Sequence, residues 1–124
     1  MPETVTVHED MGVIEVHSFG QVTKKDLLQS LETVDRIYQK RGFYKVLIDA
    51  QEEEGIPNTI DLFVFSANME KAYIGKTGRF AVVISEKTRK DLEFLVGKIQ
   101  EKGITANSFM SVDEAIDWLK DETD

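Results

Sequence analysis

The stretch Tyr44-Lys45-Val46-Leu47-Ile48-Asp49 carries a nearly continuous apolar run, and its reading decides the fold. A strand with one wet face alternates apolar and polar residues, whereas an unbroken run marks a strand covered on both faces. Arg79-Phe80-Ala81-Val82-Val83-Ile84-Ser85 repeats the pattern. Two such strands set between helix-period segments predict an α/β chain with a mostly parallel central sheet and flanking helices.

Working outward from the first run, residues preceding it form a helix that starts at Thr23, with Asp26 three positions on as a variant capping box. Leu27, Leu28, Leu31, Val34 and Tyr38 recur at helical spacing, and Lys40, Arg41 and Gly42 close the helix. Further back, residues 4–8 and 13–19 are strands joined by Glu9-Asp10-Met11-Gly12, which predicts an antiparallel hairpin at one edge of the sheet.

On the other side, residues 50–58 read as a loop that carries Glu52-Glu53-Glu54. Asn58 or Thr59 caps a helix running to about Tyr73, and Gly75-Lys76-Thr77-Gly78 is a turn. Leu92, Leu95, Val96 and Ile99 mark a helix stopped by Gly103, and residues 104–110 form a weaker strand near an edge. Ser111-Val112-Asp113-Glu114 is a capping box that opens a last helix burying Val112, Ala115, Ile116 and Leu119, with Trp118 beside that face. The order is β-β-α-β-α-β-α-β-α, a length of 124 residues suits a single domain over residues 1–124, and no linker or repeat interrupts it.

Composition narrows the function. A formal net charge of -8 repels phosphate backbones, which argues against nucleic acid and against anionic membrane surfaces as partners. No stretch reaches the roughly 20 apolar residues of a membrane span. The polar start Met1-Pro2-Glu3-Thr4 is unlike a secretory signal. Cysteine is absent, which removes disulfides and thiol chemistry and fits a cytoplasmic protein.

Catalytic, metal and cofactor motifs are missing. Gly75-Lys76-Thr77 resembles the end of a phosphate-binding loop, but that motif needs a glycine where Glu70 stands and a helix where a strand follows. His8 and His17 fall about four residues apart along the hairpin, roughly 13 Å, too far to share a metal. The run Glu52-Glu53-Glu54, with Asp49 and Asp61 nearby, lacks the alternating spacing of a calcium loop and reads as a solvated, mobile segment. Lys87, Arg89 and Lys90 cluster at a helix start, where cations oppose the helix dipole. No paired acid and base and no nucleophile elbow is present. The expectation is a protein without cofactor or metal that is not an enzyme.

The element order is that of the STAS domain, and the chain resembles its SpoIIAA-like branch. The likeness is carried by Gly12-Val13-Ile14-Glu15-Val16, by Lys45-Val46-Leu47-Ile48-Asp49, by Arg79-Phe80-Ala81-Val82-Val83, and by Phe109-Met110-Ser111-Val112-Asp113-Glu114-Ala115 with Trp118-Leu119. The resemblance implies a binding or regulatory module that works through protein partners; an exposed helix face suits a homodimer as well as a foreign protein. The resemblance also implies a serine or threonine, open to phosphorylation, at the start of the helix after the third strand. The matching position is Thr59, preceded by Asn58, where the family's usual pair is Asp-Ser. The related Sec14-type domains offer a second possibility, a carrier of a small apolar or lipid ligand.

The segment Ile60-Asp61-Leu62-Phe63-Val64-Phe65 is the most informative departure from an ordinary surface helix, because five of its six residues are apolar. With Ile60, Phe63 and Ala67 turned to the sheet, Leu62, Phe65 and Met69 point away and need a cover. Asn58, Leu62, Phe65 and Met69 are therefore the expected surface for a partner or a ligand, and serine at Leu62 and Phe65 is expected to abolish association while sparing the fold.

Overall fold

The computed structural model describes residues 3–121. The strands are β1 Glu3–His8, β2 Val13–Gln21, β3 Lys45–Gly55, β4 Arg79–Val83 and β5 Thr105–Phe109. The helices are α1 Lys24–Arg41, α2 Thr59–Lys71, α3 Tyr73–Thr77, α4 Arg89–Glu101 and α5 Val112–Lys120. The five strands form one sheet in the order β1-β2-β3-β4-β5. β1 pairs with β2 antiparallel, and the remaining pairs are parallel. The unbroken apolar runs occupy β3 and β4, and the weaker strand β5 is at an edge, as the patterning requires.

The two faces of the sheet are covered unequally. Ile14 and Val16 of β2, Val46 of β3 and Phe80 and Val82 of β4 meet Val34 of α1, Phe65 and Met69 of α2 and Leu92, Leu95, Val96 and Ile99 of α4. The opposite side chains, Val13, Leu47, Ala81 and Val83, meet Ala115 and Leu119 of α5. Arg79 fixes α5 in place. Its guanidinium stacks over the Trp118 ring at 3.8 Å and donates to the Trp118 and Asp121 carbonyls, both at 2.7 Å.

Capping follows the sequence signals. Thr23 accepts from the Asp26 N–H while the Asp26 carboxylate accepts from the Thr23 N–H, and Gly42 ends α1 at φ 78°. Asn58 caps α2 by accepting from the Asp61 N–H at 2.8 Å. The segment expected to be a plain turn holds the short helix α3. Gly75 is needed there because a Cβ would lie 2.1 Å from the Met69 carbonyl oxygen.

Two expectations are corrected. The acidic segment is not a loop, because β3 continues through Glu52, Glu53 and Glu54 to Gly55. The register explains how. His17 faces Asp49 but Phe19 faces Glu52, so β3 carries an extra residue against β2. A bulge of this kind exchanges the faces of the residues beyond it. Ala50 is inward before the bulge, and Glu53 is inward after it. Glu52 instead points to the other face, where its Oε1 lies 2.7 Å from His17 Nε2.

The second correction concerns α2. Leu62 and Met69 are each 2% exposed and Phe65 is buried with them, whereas Ile60 is 74% and Phe63 50% exposed. The helix is rotated from the orientation expected. Leu62, Phe65, Ser66 and Met69 form the i, i+3, i+4, i+7 stripe that packs on the core, so serine at Leu62 and Phe65 damages the fold and cannot test a surface. In a helix apolar on nearly all sides, periodicity does not say which stripe goes inward.

Candidate functional site

Two features stand out from this frame, an apolar patch on the outside of α2 and an acid-tipped cavity beneath the helices. The patch lies where three element ends meet. Val22, between β2 and α1, donates its N–H to the Gly55 carbonyl at 2.9 Å, which ties the start of α1 to the end of β3. Lys24 of α1 lies 3.8 Å from Asp61 of α2, and Lys87, before α4, lies 3.9 Å from Glu54. Asn58 and Thr59 are exposed at this end, and Thr59 is the first residue of α2. Ile60 and Phe63 follow on the outer face of the helix. Phe63 is flanked by Lys102, whose Nζ stands 5.4 Å from the ring centre and 3.7 Å from Glu70.

The expected site residues are thus divided. Asn58 and Thr59 stand beside the exposed patch, whereas Leu62, Phe65 and Met69 lie beneath it. Phe65 and Met69 line the cavity between the helices and the sheet. Ile60 and Phe63 were missed as surface residues, since their hydrophobicity alone suggested the opposite. Of the basic cluster at the start of α4, Arg89 is engaged by Glu86 at 3.1 Å and Glu93 at 3.3 Å.

The cavity has a volume of about 60 Å3 and is walled by side chains of β2, β3, β4, α1, α2 and α4. Its lining is apolar except at one end, which holds Glu3, Ser30 and Glu53. Glu3 is held by two hydroxyls: Ser18 Oγ donates to its Oε2 and Ser30 Oγ to its Oε1. Burial raises the Glu3 pKa, the two serines oppose that rise, and Asp26 adds to it. Glu53 is only 4% exposed, and its Oε1 has no hydrogen-bond partner among the described residues. Its pKa is pushed up to about 7, by burial first and by the charge of Glu3 second, against a lowering by Ser18. The acidic run hid this residue, because three adjacent carboxylates suggest solvent and only the bulge turns one inward.

The two histidines stand on the other face of the hairpin. The register pairs Thr4 with His17 and His8 with Val13, as a tight hairpin requires. Each imidazole has its own carboxylate, His8 with Glu15 at 2.6 Å and His17 with Glu52 at 2.7 Å. Among the described residues, no three metal-ligating side chains converge, and no helix is long and apolar enough to cross a membrane.

The model of the SpoIIAA-like family matches residues 13–120. The chain belongs to the SpoIIAA-like family. Solved structures share its fold at low sequence identity. The anti-sigma factor antagonist SpoIIAA in its unphosphorylated form aligns with a TM-score of 0.62 at 12% identity, over 95% of this chain and 97% of that one. An anti-sigma factor antagonist candidate from Thermotoga maritima gives 0.65 at 15%, over 96% and 95%. An uncharacterised DUF3478-family protein from Shewanella loihica gives 0.62 at 17%, over 94% and 91%. No curated protein matches the chain in sequence. These likenesses establish the fold, and the SpoIIAA-like architecture accounts for the antiparallel hairpin edge and the parallel remainder.

Proposed function

We propose that this protein is a non-catalytic regulatory module that binds a protein partner through the outer face of α2 and the element ends around it. The observation that carries the reading is the exposure of Ile60 and Phe63 on a helix whose opposite stripe is already fully used in the core. Burying a large apolar side chain contributes roughly 1.5–3 kcal/mol, so this pair is a contact centre that the fold leaves unsatisfied. Lys24, paired with Asp61 beside Ile60, and Lys102, over the Phe63 ring, border the patch with charge, the polar rim usual for an interface. The names of two structural neighbours, both anti-sigma factor antagonists by description, are consistent with binding as the activity.

Thr59 is the proposed switch. A phosphoryl group on an exposed first residue of a helix meets free backbone N–H groups and places about two negative charges at the edge of the apolar patch. The partner is then released or exchanged by charge, with no rearrangement of the core. Affinity capture from the host organism tests the reading, with wild type, Ile60→Ser/Phe63→Ser and Thr59→Glu compared. A specific protein, or a second copy of this chain, is retained by wild type and lost from both variants while their thermal unfolding is unchanged. Equal retention by all three removes the proposal.

The cavity favours a second reading, a site for a small apolar ligand. Phe65 and Met69 belong to its wall, so a bound ligand would bear on the helix that carries the outer patch.

A further inference from the structure

We infer that the cavity beneath α1, α2 and α4 takes a small aliphatic amine, its chain lodged among the apolar walls and its ammonium bound by the Glu53 carboxylate. The inference rests on the reading of the cavity as a ligand site and specifies the chemistry of the head group. Val16, Leu31, Val34, Ile48, Phe65 and Met69 surround the chain. A cavity needs about 10–15 Å3 to admit one water-sized group. The volume of about 60 Å3 therefore suits a chain of about four to six non-hydrogen atoms.

The head group follows from hydrogen-bond accounting. Buried polar atoms are paired in folded proteins, and an unpaired one calls for a reason. The two Glu3 oxygens are taken by Ser18 and Ser30, which leaves Glu53 Oε1 as the vacant acceptor at the end of the cavity. An ionised carboxylate accepts and never donates, so its partner must bring N–H or O–H groups. Charge selects between them. Glu3, Glu53 and Asp26 gather at this end, and among the described residues none of the three forms an ion pair with a cationic side chain. An ammonium supplies both the donors and the balancing charge, a hydroxyl only the donor, and a carboxylate neither.

A second, outer cleft adjoins the cavity. It lies between β1 and α1 and is lined by Glu3, Val5, Asp26, Gln29, Ser30 and Thr33. Glu3 and Ser30 line both the cleft and the cavity, so they stand at the boundary, and Asp26 and Glu3 give the cleft an acidic lining that attracts a cation.

Binding of butylamine and pentylamine, followed by NMR shift perturbation at pH 8, tests the inference against 1-butanol, 1-pentanol and butanoate. The amines are expected to saturate one site, at least about tenfold tighter than the alcohols of equal length, with butanoate weakest. Glu53→Gln is expected to remove the amine preference, and Glu53→Asp to retain most of it. The preference should also grow as pH rises through about 7, where Glu53 ionises, with Glu3 the other carboxyl acting on it and Asp26 acting in turn on Glu3. Alcohols binding as tightly as amines would overturn the role of Glu53 while leaving an apolar ligand site. No saturable binding by any compound would overturn both.

Discussion

Replacing Glu53 by glutamine changes the pH dependence of stability in a direction the buried carboxyl dictates. The Glu53 pKa is raised from 4.5 to about 7 in the folded protein. The folded state therefore holds this proton more tightly than the unfolded chain. The stability this confers is fully present below about 4.5 and is lost as pH rises through about 7. At about 1.4 kcal/mol for each pKa unit, the loss is roughly 3 kcal/mol across that window. Glutamine has nearly the same shape and does not titrate. Wild type and Glu53→Gln should then be of similar stability at pH 4.5, and the variant should be more stable by up to roughly 3 kcal/mol at pH 8.5. Glu3 is present in both proteins, so the difference between the two isolates Glu53 and its coupling to Glu3. Urea unfolding at half-unit intervals from pH 4.5 to 8.5 measures it. Parallel stability curves for the two proteins would show that Glu53 is solvated, and the acid-tipped cavity would lose its basis.

Two further outcomes follow from packing. Phe65→Ala should cost about 3–5 kcal/mol in chemical unfolding, whereas Phe63→Ala, two residues away on the same helix, should stay within about 0.5 kcal/mol of wild type. Equal costs would mean that α2 is rotated from the position described. Gly75→Ala drives a Cβ against the Met69 carbonyl and should lower the melting temperature by an amount equivalent to about 1–3 kcal/mol; an unchanged melting temperature would contradict the close approach.

Much of the architecture was legible because its signals are local and agree with one another. The continuous runs of β3 and β4 placed them at the sheet centre, and Thr23 with Asp26, Asn58 and Ser111 marked three helix starts where the caps are found. What escaped the sequence depended on two long-range facts. The orientation of α2 is set by which stripe fits the sheet and α4, and Ile60 and Leu62 are equally apolar alternatives. The inward turn of Glu53 comes from a mismatch in residue count between β2 and β3, which no pattern within Gln51-Glu52-Glu53-Glu54 reveals. Thr59 was legible by its place at the start of the helix after β3, whereas its apolar neighbours Ile60 and Phe63 became a surface only once the core stripe was assigned.

The outer face of α2 is the proposed meeting place with the partner. Site-specific photo-crosslinking in the host organism tests it most directly, with a benzophenone side chain placed in turn at Ile60, at Phe63 and at the exposed control positions Glu32 and Gln39 of α1. One discrete adduct is expected from positions 60 and 63, absent from 32 and 39 and lost in the Thr59→Glu background. Adducts of equal yield at all four positions, or none at 60 and 63, would contradict it.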